Sequence, residues 1–340
     1  MKTCIIAIML GAALSAGAGD RIPAAGTAAE TGLFTKKEYK REVTREFAAG
    51  ADPALDINNL HGNIRIIEGT EGKIMFRIEI TGKGRNSRLA REYAETVDIR
   101  FSQDGNRISA VTEFKSLSCN NCERTVHYTV VVPKSVSMNL SNTFGNVILD
   151  HAAKPLRAKI GHGNLTAHTL DDAAIDIRFG NADIGSCRAA TVGSAHSKLK
   201  IGRAETIRMD SQFDNIDIGT VSAFDLETKH STVTVSKLDD RFVATDFDFC
   251  KLDISEISTG FGRIKIAAQH STVKLALDAR HSFKAALYTE FGDIDADHLT
   301  FSNVSLKKGS AIVGDVGANP NPSATVDIDV AFGDIKFTRQ

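Results

Sequence analysis

Tryptophan is absent from the 340-residue chain, and aromatic residues make up only 6% of it. That argues against a sugar-stacking lectin cleft or an aromatic ligand box. Neither sign of charge dominates: 41 Lys and Arg stand against 42 Asp and Glu, a net charge of -1. A basic nucleic-acid-binding surface and a polybasic membrane anchor are thereby excluded. No apolar run is long enough to span a bilayer. Ser-His-Asp, Walker and dinucleotide-binding motifs are missing in usable context. What remains is 42% hydrophobic and 24% charged, enough for a packed core and unlike a disordered polyampholyte.

The N-terminus reads as a signal peptide over residues 1–18. Lys2 supplies a short positive region, Cys4 to Leu14 an apolar stretch, and Ala16-Gly17-Ala18 a small-x-small cleavage site. Residues 19–35 are rich in Ala, Gly and Thr and read as a flexible leader. The mature chain is therefore expected outside the cytoplasm, in the periplasm or on the cell surface, with no transmembrane span. Export leaves Cys119, Cys122, Cys187 and Cys250. Cys119-Asn-Asn-Cys122 is a lone C-x-x-C in a compartment that permits disulfides. A loop disulfide, two free thiols and a metal or redox site all fit it.

One pattern recurs along the chain: Phe or His, then Gly or Ser, a polar residue, and apolar-x-apolar. It appears as Phe144-Gly-Asn-Val-Ile-Leu149, His162-Gly-Asn-Leu-Thr-Ala167 and Phe179-Gly-Asn-Ala-Asp-Ile184. It returns from His196, Phe213, His230, Phe249, His270, Phe291 and Phe332, with an outlying copy at His61. Spacings run 18, 17, 17, 17 and 17, then 19, 21 and 21. Lys308-Gly309-Ser310 reads as a degenerate copy filling the gap before Phe332. Before each anchor the apolar residues alternate, as in Leu156, Ala158, Ile160 and Ile264, Ile266, Ala268. A period of two is a strand. Seventeen residues are too few for a helical crossover. Each repeat is then one coil of a parallel β-solenoid, bent at its Gly/Ser-Asn pair.

By parity the anchors face the core with the apolar residues before them. Phe and His alternate up to Phe291, so adjacent coils, about 4.8 Å apart, place the rings in a mixed stack. Two readings of the His series compete: a metal ladder, and buried or half-buried neutral imidazoles between Phe rings. The second is preferred, because successive His residues lie two coils apart, too far to share a Zn ion. Outward positions read Asp183, Lys200, Asp217, Thr234, Asp253, Lys274, Asp295, setting opposite charges on adjacent coils. Cys187 and Cys250 are four repeats apart and are expected to be unbonded.

Residues 36–134 read as an N-terminal β region with a first coil and a hairpin cap, and 135–340 as the solenoid. Tyr39, Val43 and Phe47 fit a strand better than a helix. Leu89 and Tyr93 mark a short helical turn. Ser102 to Asn106 turns a hairpin into Arg107–Phe114, and Lys115 to Arg124 is a polar loop.

Asp56-Ile-Asn-Asn-Leu-His-Gly-Asn-Ile-Arg-Ile66 resembles the opening motif of a bacterial adhesin family of unknown function, common in Bacteroidetes and related to head-domain autotransporter adhesins. Val126–Pro133 followed by Met138 to Asn146, and the closing Val326–Phe337, are similar to further stretches of that family. The resemblance covers residues 36 to 340. It implies an all-β fold, a right-handed single-stranded parallel β-helix with about 17–21 residues per coil. The hand also follows the general bias of parallel connections. The resemblance supplies no catalytic, cofactor or metal residues. The chain departs from the family at its His series, where many relatives carry Tyr, and at its C-x-x-C loop.

Three functions compete: a non-enzymatic binding or structural scaffold at the envelope, a β-helical polysaccharide lyase or hydrolase, and an envelope signalling component that binds another protein. An enzyme needs convergent carboxylates. The best concentration is Asp214, Asp217, Asp246, Asp248 and Asp253. The scaffold reading is preferred. Its partner is an envelope protein, a glycan or a second copy of the chain, with no nucleic acid and no cofactor. Intact-mass analysis of the protein recovered from its native envelope is expected to show a chain beginning near Gly19; a chain that retains Met1 refutes the signal peptide.

Overall fold

The computed structural model describes residues 36–339; the signal-peptide and leader readings lie outside them. The coils stack in parallel register. Leu156 pairs with Ala173, Ala173 with Ala190, Ala190 with Ile207 and Ile207 with Phe224. Each step is 17 residues, so one repeat makes one coil. Strand Asn164–Arg178 shows how a coil is shaped. Its buried residues alternate, then two successive side chains face outward at His168–Thr169 and again at Asp171–Asp172. These are gentle corners, and the sharp one falls at the anchor. Inward rows of Leu, Ile, Val and Ala fill the interior, with Phe224, Phe242, Phe247 and Phe283 widening it in later coils.

The first coil comes from far earlier in the chain. Ala54–Leu60 and Ile64–Glu68 pair with Ser137–Thr143 and Val147–Ala152, Leu55 opposite Met138 and Ile64 opposite Val147. Arg107–Phe114 and Glu123–Val132 lie against the other side of that coil. Outside them, Lys37–Ala48 pairs antiparallel with Lys73–Gly84, which pairs antiparallel with Glu123–Val132. Val97–Asp104 and Arg107–Phe114 form the hairpin expected around Gly105. The short turn expected at Leu89 and Tyr93 is a longer helix, Ser87–Glu95, whose N-terminus Asn86 caps by accepting from the Leu89 N–H at 2.9 Å. It lies close on the sheet because Gly82 faces it: a Cβ there would sit 2.2 Å from the Ala90 carbonyl oxygen.

The C-terminal end departs from sequence order. Thr325–Ala331 is inserted between Arg263–Gln269 and Phe283–Glu290, parallel to both. Ile335–Thr338 lies between Thr272–Ala276 and Ile294–Asp295. Lys308-Gly309-Ser310 is no repeat copy. It turns an antiparallel hairpin, Phe301–Lys308 with Ala311–Val316, which packs along Phe283–Glu290. The charge alternation is also corrected here. Lys274 pairs with Asp253 at 2.9 Å, but its other neighbour is Lys336, and Asp295 meets Lys336 at 3.7 Å. A local count could not show a strand arriving 62 residues later.

Buried corners must satisfy their backbone N–H groups, and the chain does so in two ways. In the Gly-Asn coils the asparagine side chain accepts. Asn146 N–H donates to Asn63 Oδ1 at 3.0 Å, Asn164 N–H to Asn146 Oδ1 at 3.0 Å, and Asn181 N–H to Asn164 Oδ1 at 3.2 Å. From His196 to His270 the residue after the anchor carries a buried side chain that accepts instead. Ser197 N–H donates to Asp214 Oδ1 at 2.6 Å, Asp214 N–H to Ser231 Oγ at 3.1 Å, Ser231 N–H to Cys250 Sγ at 3.2 Å, and Cys250 N–H to Ser271 Oγ at 3.0 Å. The corner thus has an acceptor row on the outside in early coils and on the inside from Ser197 to Ser271. At the C-terminal end, where Gly292 and Gly333 follow the anchors, Asp293 N–H donates to Asp334 Oδ1 at 3.1 Å.

Asp214 is the one carboxylate in that inner row. Burial pushes its carboxyl above the usual range, against hydrogen bonds from Ser194 Oγ and the Ser197 N–H. A carboxyl raised in the folded state binds its proton more tightly than in the unfolded chain. Stability then falls as pH rises from the unfolded value through the folded one, and stays lower at neutral pH. Asp214→Asn keeps an acceptor for Ser197 and cannot ionise. Its melting temperature is expected to exceed the wild-type value at pH 7 and to match it at pH 3.5; equal differences at both pH values would refute an ionised Asp214.

Candidate functional site

Along the sharp corner eleven rings stack without a break, from His61 through Phe144, His162, Phe179, His196, Phe213, His230, Phe249, His270 and Phe332 to Phe291. Centroid separations are 4.6–5.0 Å and ring planes lie within 2–13° of parallel. The rings follow the coil spacing because each sits on the same rung of its coil. The order differs from the chain order at one end. Phe332 lies between His270 and Phe291, so the Phe/His alternation ends in two adjacent phenyl rings.

The anchors do not face the core, as parity implied. Phe144, Phe179, Phe213, Phe249 and Phe332 are about half exposed, and Phe291 is 74% exposed. The reason is the backbone. Every one of the eleven has positive φ, from 50° at His270 to 60° at His61. A left-handed residue interrupts the alternation of a strand and swings its own side chain outward. The corner is therefore made at the anchor, one residue earlier than the Gly/Ser-Asn pair. Glycine follows the anchor in the early coils for a separate reason: a Cβ on Gly163 would lie 1.9 Å from the Gly145 carbonyl oxygen.

Two sequence candidates dissolve in this geometry. Successive imidazoles are separated by a phenyl ring, with 5.0 Å from His162 to Phe179 and 5.0 Å again to His196. Zn–N bonds of about 2.0–2.1 Å cannot bridge two such steps. The acidic concentration is equally dispersed. Asp214 is buried in the interior, Asp248 meets Lys229 at 3.4 Å, and Asp253 meets Lys274. Cys119 and Cys122 are joined by a disulfide in the loop beside Phe114. Cys187 and Cys250 are free and buried; burial pushes the Cys187 thiol up to about 11, so it is no nucleophile at neutral pH.

The ladder's first ring has a lid that the sequence did not announce. Phe114 leans on His61 at 5.9 Å, and Arg124 lies 4.0 Å above Phe114 and 4.9 Å from Tyr93. Burial and the Arg124 charge hold the His61 imidazole below its usual range. Beside the middle rungs runs an exposed polar row of Asn181, Lys198, Asn215 and Thr232, forming a shallow trough with the ring edges. A second concavity of about 630 Å³ follows the gentle corners on another edge, where His151, Asp171, Arg188, Arg203 and Glu205 meet the apolar floor at Cys187 and Ala204. The 17-residue spacing of Asp171, Arg188 and Glu205 is its trace in sequence.

The solved structures similar to this chain include a "putative adhesin" from Bacteroides fragilis, 13% identical over 88% of this chain and 97% of that one, with a TM-score of 0.39. Another "putative adhesin", from Parabacteroides merdae, is 10% identical over the same shares, with a TM-score of 0.41. A "putative lipid binding protein" from Parabacteroides distasonis is 8% identical, again over 88% and 97%, at 0.36. No protein-family model and no curated protein matches the chain.

The strain and the stack can be separated by substitution. Phe213→Ala removes the ring but keeps a Cβ in a left-handed residue. Phe213→Gly removes both. The glycine variant is expected to be more stable than the alanine variant by about 1–2 kcal/mol. Denaturant unfolding measures the difference, and an alanine variant as stable as the glycine one would contradict the strain at the corner.

Proposed function

We propose that the protein is an exported, non-enzymatic β-solenoid, an adhesin-like binding or structural scaffold at the bacterial envelope that meets its partner along the aromatic ladder. The right-handed winding belongs to this proposal. The observation that carries it is the unbroken, half-exposed ring stack. An exposed row of apolar surface with a polar margin marks an interaction site. Here the row is rigid, because each ring is held by its neighbours and by its backbone. It offers phenyl edges alternating with imidazole edges that can donate or accept. An envelope protein or glycan that runs along the axis would meet the same chemistry at every second rung. Ring faces are occupied by other rings, so recognition uses edges and the Asn181–Thr232 margin, unlike a lectin that stacks a sugar on an open face.

The test is a crosslinking pull-down from intact cells with a tagged mature chain and a surface-protease control. Capture of an envelope protein or glycan is expected. Phe179→Ser with Phe213→Ser, checked for an intact fold by circular dichroism, is expected to weaken capture about tenfold or more, as for the loss of central aromatic anchors. Undiminished capture would move the site off the ladder. Turnover of pectin, alginate or chromogenic glycosides would overturn the non-enzymatic reading.

A further inference from the structure

The coil that the C-terminal segment forms sits between two coils that already match each other. Ile264 and Ala285 share Val326 as their partner, Ile266 and Leu287 share Ile328, and Ala268 and Thr289 share Val330. Val273 and Ile294 share Ile335, and Lys274 and Asp295 share Lys336. Each pair is 21 residues apart, the spacing that also separates Phe249 from His270. With 325–338 withdrawn, the outer coil can therefore settle on the inner one in its own register. That closure sets His270 on Phe291 and Lys274 beside Asp295. The inserted coil breaks both patterns, stacking Phe332 on Phe291 and setting Lys336 beside Lys274. The sequence is thus consistent with two arrangements of this end.

The inserted coil is held by bonds that do not depend on which chain supplies it. Backbone groups join it on both sides: His270 N–H to Ala331 O at 2.7 Å, Phe332 N–H to Glu290 O at 2.6 Å, Val273 N–H to Asp334 O at 2.9 Å. Its apolar side chains, Val326, Ile328, Val330, Ile335 and Phe337, are buried. It is reached by a connector, Gly317 to Ala324, that carries Pro320 and Pro322 and is mostly exposed. In the closed form the connector doubles back around the end of Phe283–Glu290, with Val316 on one side of that strand and Thr325 on the other; released, its prolines favour an extended chain. An element delivered on a hinge that can open out, into a slot that exists in every copy, is the setting for exchange between copies.

We propose that residues 325–338 form an exchangeable donor coil: in place of its own slot, the segment fills the slot of a second copy of this chain, giving a reciprocal strand-exchanged dimer. The contacts within each slot are the same in both forms, so the hinge and the protein concentration during folding decide between them. Because the buried coil must leave before it can exchange, monomer and dimer interconvert slowly once folded.

Ala267 and Asp329 are exposed register partners across the inner side of the slot. Two full-length variants, Ala267→Cys and Asp329→Cys, are unfolded, mixed at high concentration, refolded together and treated with a short bismaleimide. A dimer by light scattering, linked between chains at 267 and 329, is expected. A single chain carrying both cysteines and refolded at low concentration must link within itself, which shows the sites react. The proposal is overturned if the mixed variants stay monomeric and unlinked while that control links, or if dimers form without the 267–329 link. Ladder substitutions such as Phe179→Ser leave this readout unchanged, so it is independent of the partner bound on the ladder.

Discussion

The architecture depends on a backbone conformation that Phe and His seldom adopt. Each coil turns its sharp corner on one left-handed residue, and at all eleven corners that residue is aromatic. A left-handed non-glycine residue costs about 1–2 kcal/mol. Glycine would turn the corner without that cost. The ring is what glycine lacks. Swung outward by the same φ that strains it, it lands on the ring of the next coil, and an aromatic pair contributes about 0.5–1.5 kcal/mol beyond burial. The two terms are of one size. Strain and stack therefore form a single device, in which the corner aims the ring and the ring column holds the corner in register.

The alternation of Phe and His follows from the same spacing. Imidazoles on adjacent rungs would face each other at about 5 Å, and two charged ones would repel within the screening length of about 10 Å at 0.1 M salt. A phenyl ring between them doubles the separation. Beneath the ladder the chain solves the other problem of a tight corner, its unpaired N–H groups. Outer Asn or Asp side chains accept them where glycine follows the anchor, and inner Ser, Asp or Cys side chains accept them where it does not. The change occurs between Phe179 and His196. There Gly180 N–H reaches Ser197 Oγ at 3.4 Å, the first of the inner row.

Local regularities were legible in the sequence, and the parts built by distant residues were not. The period of two and the 17-residue step lie within each repeat, so strands, parallel coils and the Asp253–Lys274 pairing follow from them. Parity gives the anchors the wrong direction because it holds only while φ stays in the β region. The C-terminal order was hidden for a sharper reason: the 21-residue spacing of Phe249, His270 and Phe291 is consistent with direct stacking, and nothing near Phe291 signals a strand that arrives from residue 325. The lid of Phe114, Arg124 and Tyr93 joins a hairpin, the strand Glu123–Val132 and a helix, which no window of the sequence contains. The concavity at His151 and Arg203 spans several coils, and the 17-residue recurrence of its charged lining does not by itself show a hollow.

A solenoid has two open ends, and an unpaired strand edge recruits other chains. The N-terminal end is closed by a charged outer strand, Lys37–Ala48, and by the Arg124 stack over the ladder. The C-terminal end is closed by different means on its two sides. Along Phe283–Glu290 the hairpin adds two strands, and its outermost, Phe301–Lys308, has an irregular register between Ser302 and Leu306 and carries Lys307 and Lys308. Bulges and lysines are the usual guards of an edge. On the ladder side the last strand, Ile294–Asp295, is two residues long, pairs among the described residues only with Ile335–Thr338, and bears a carboxylate. So short an edge cannot template a long pairing. Among the described residues Phe291 stacks on Phe332 alone, so the stack that organises the whole fold ends at this ring.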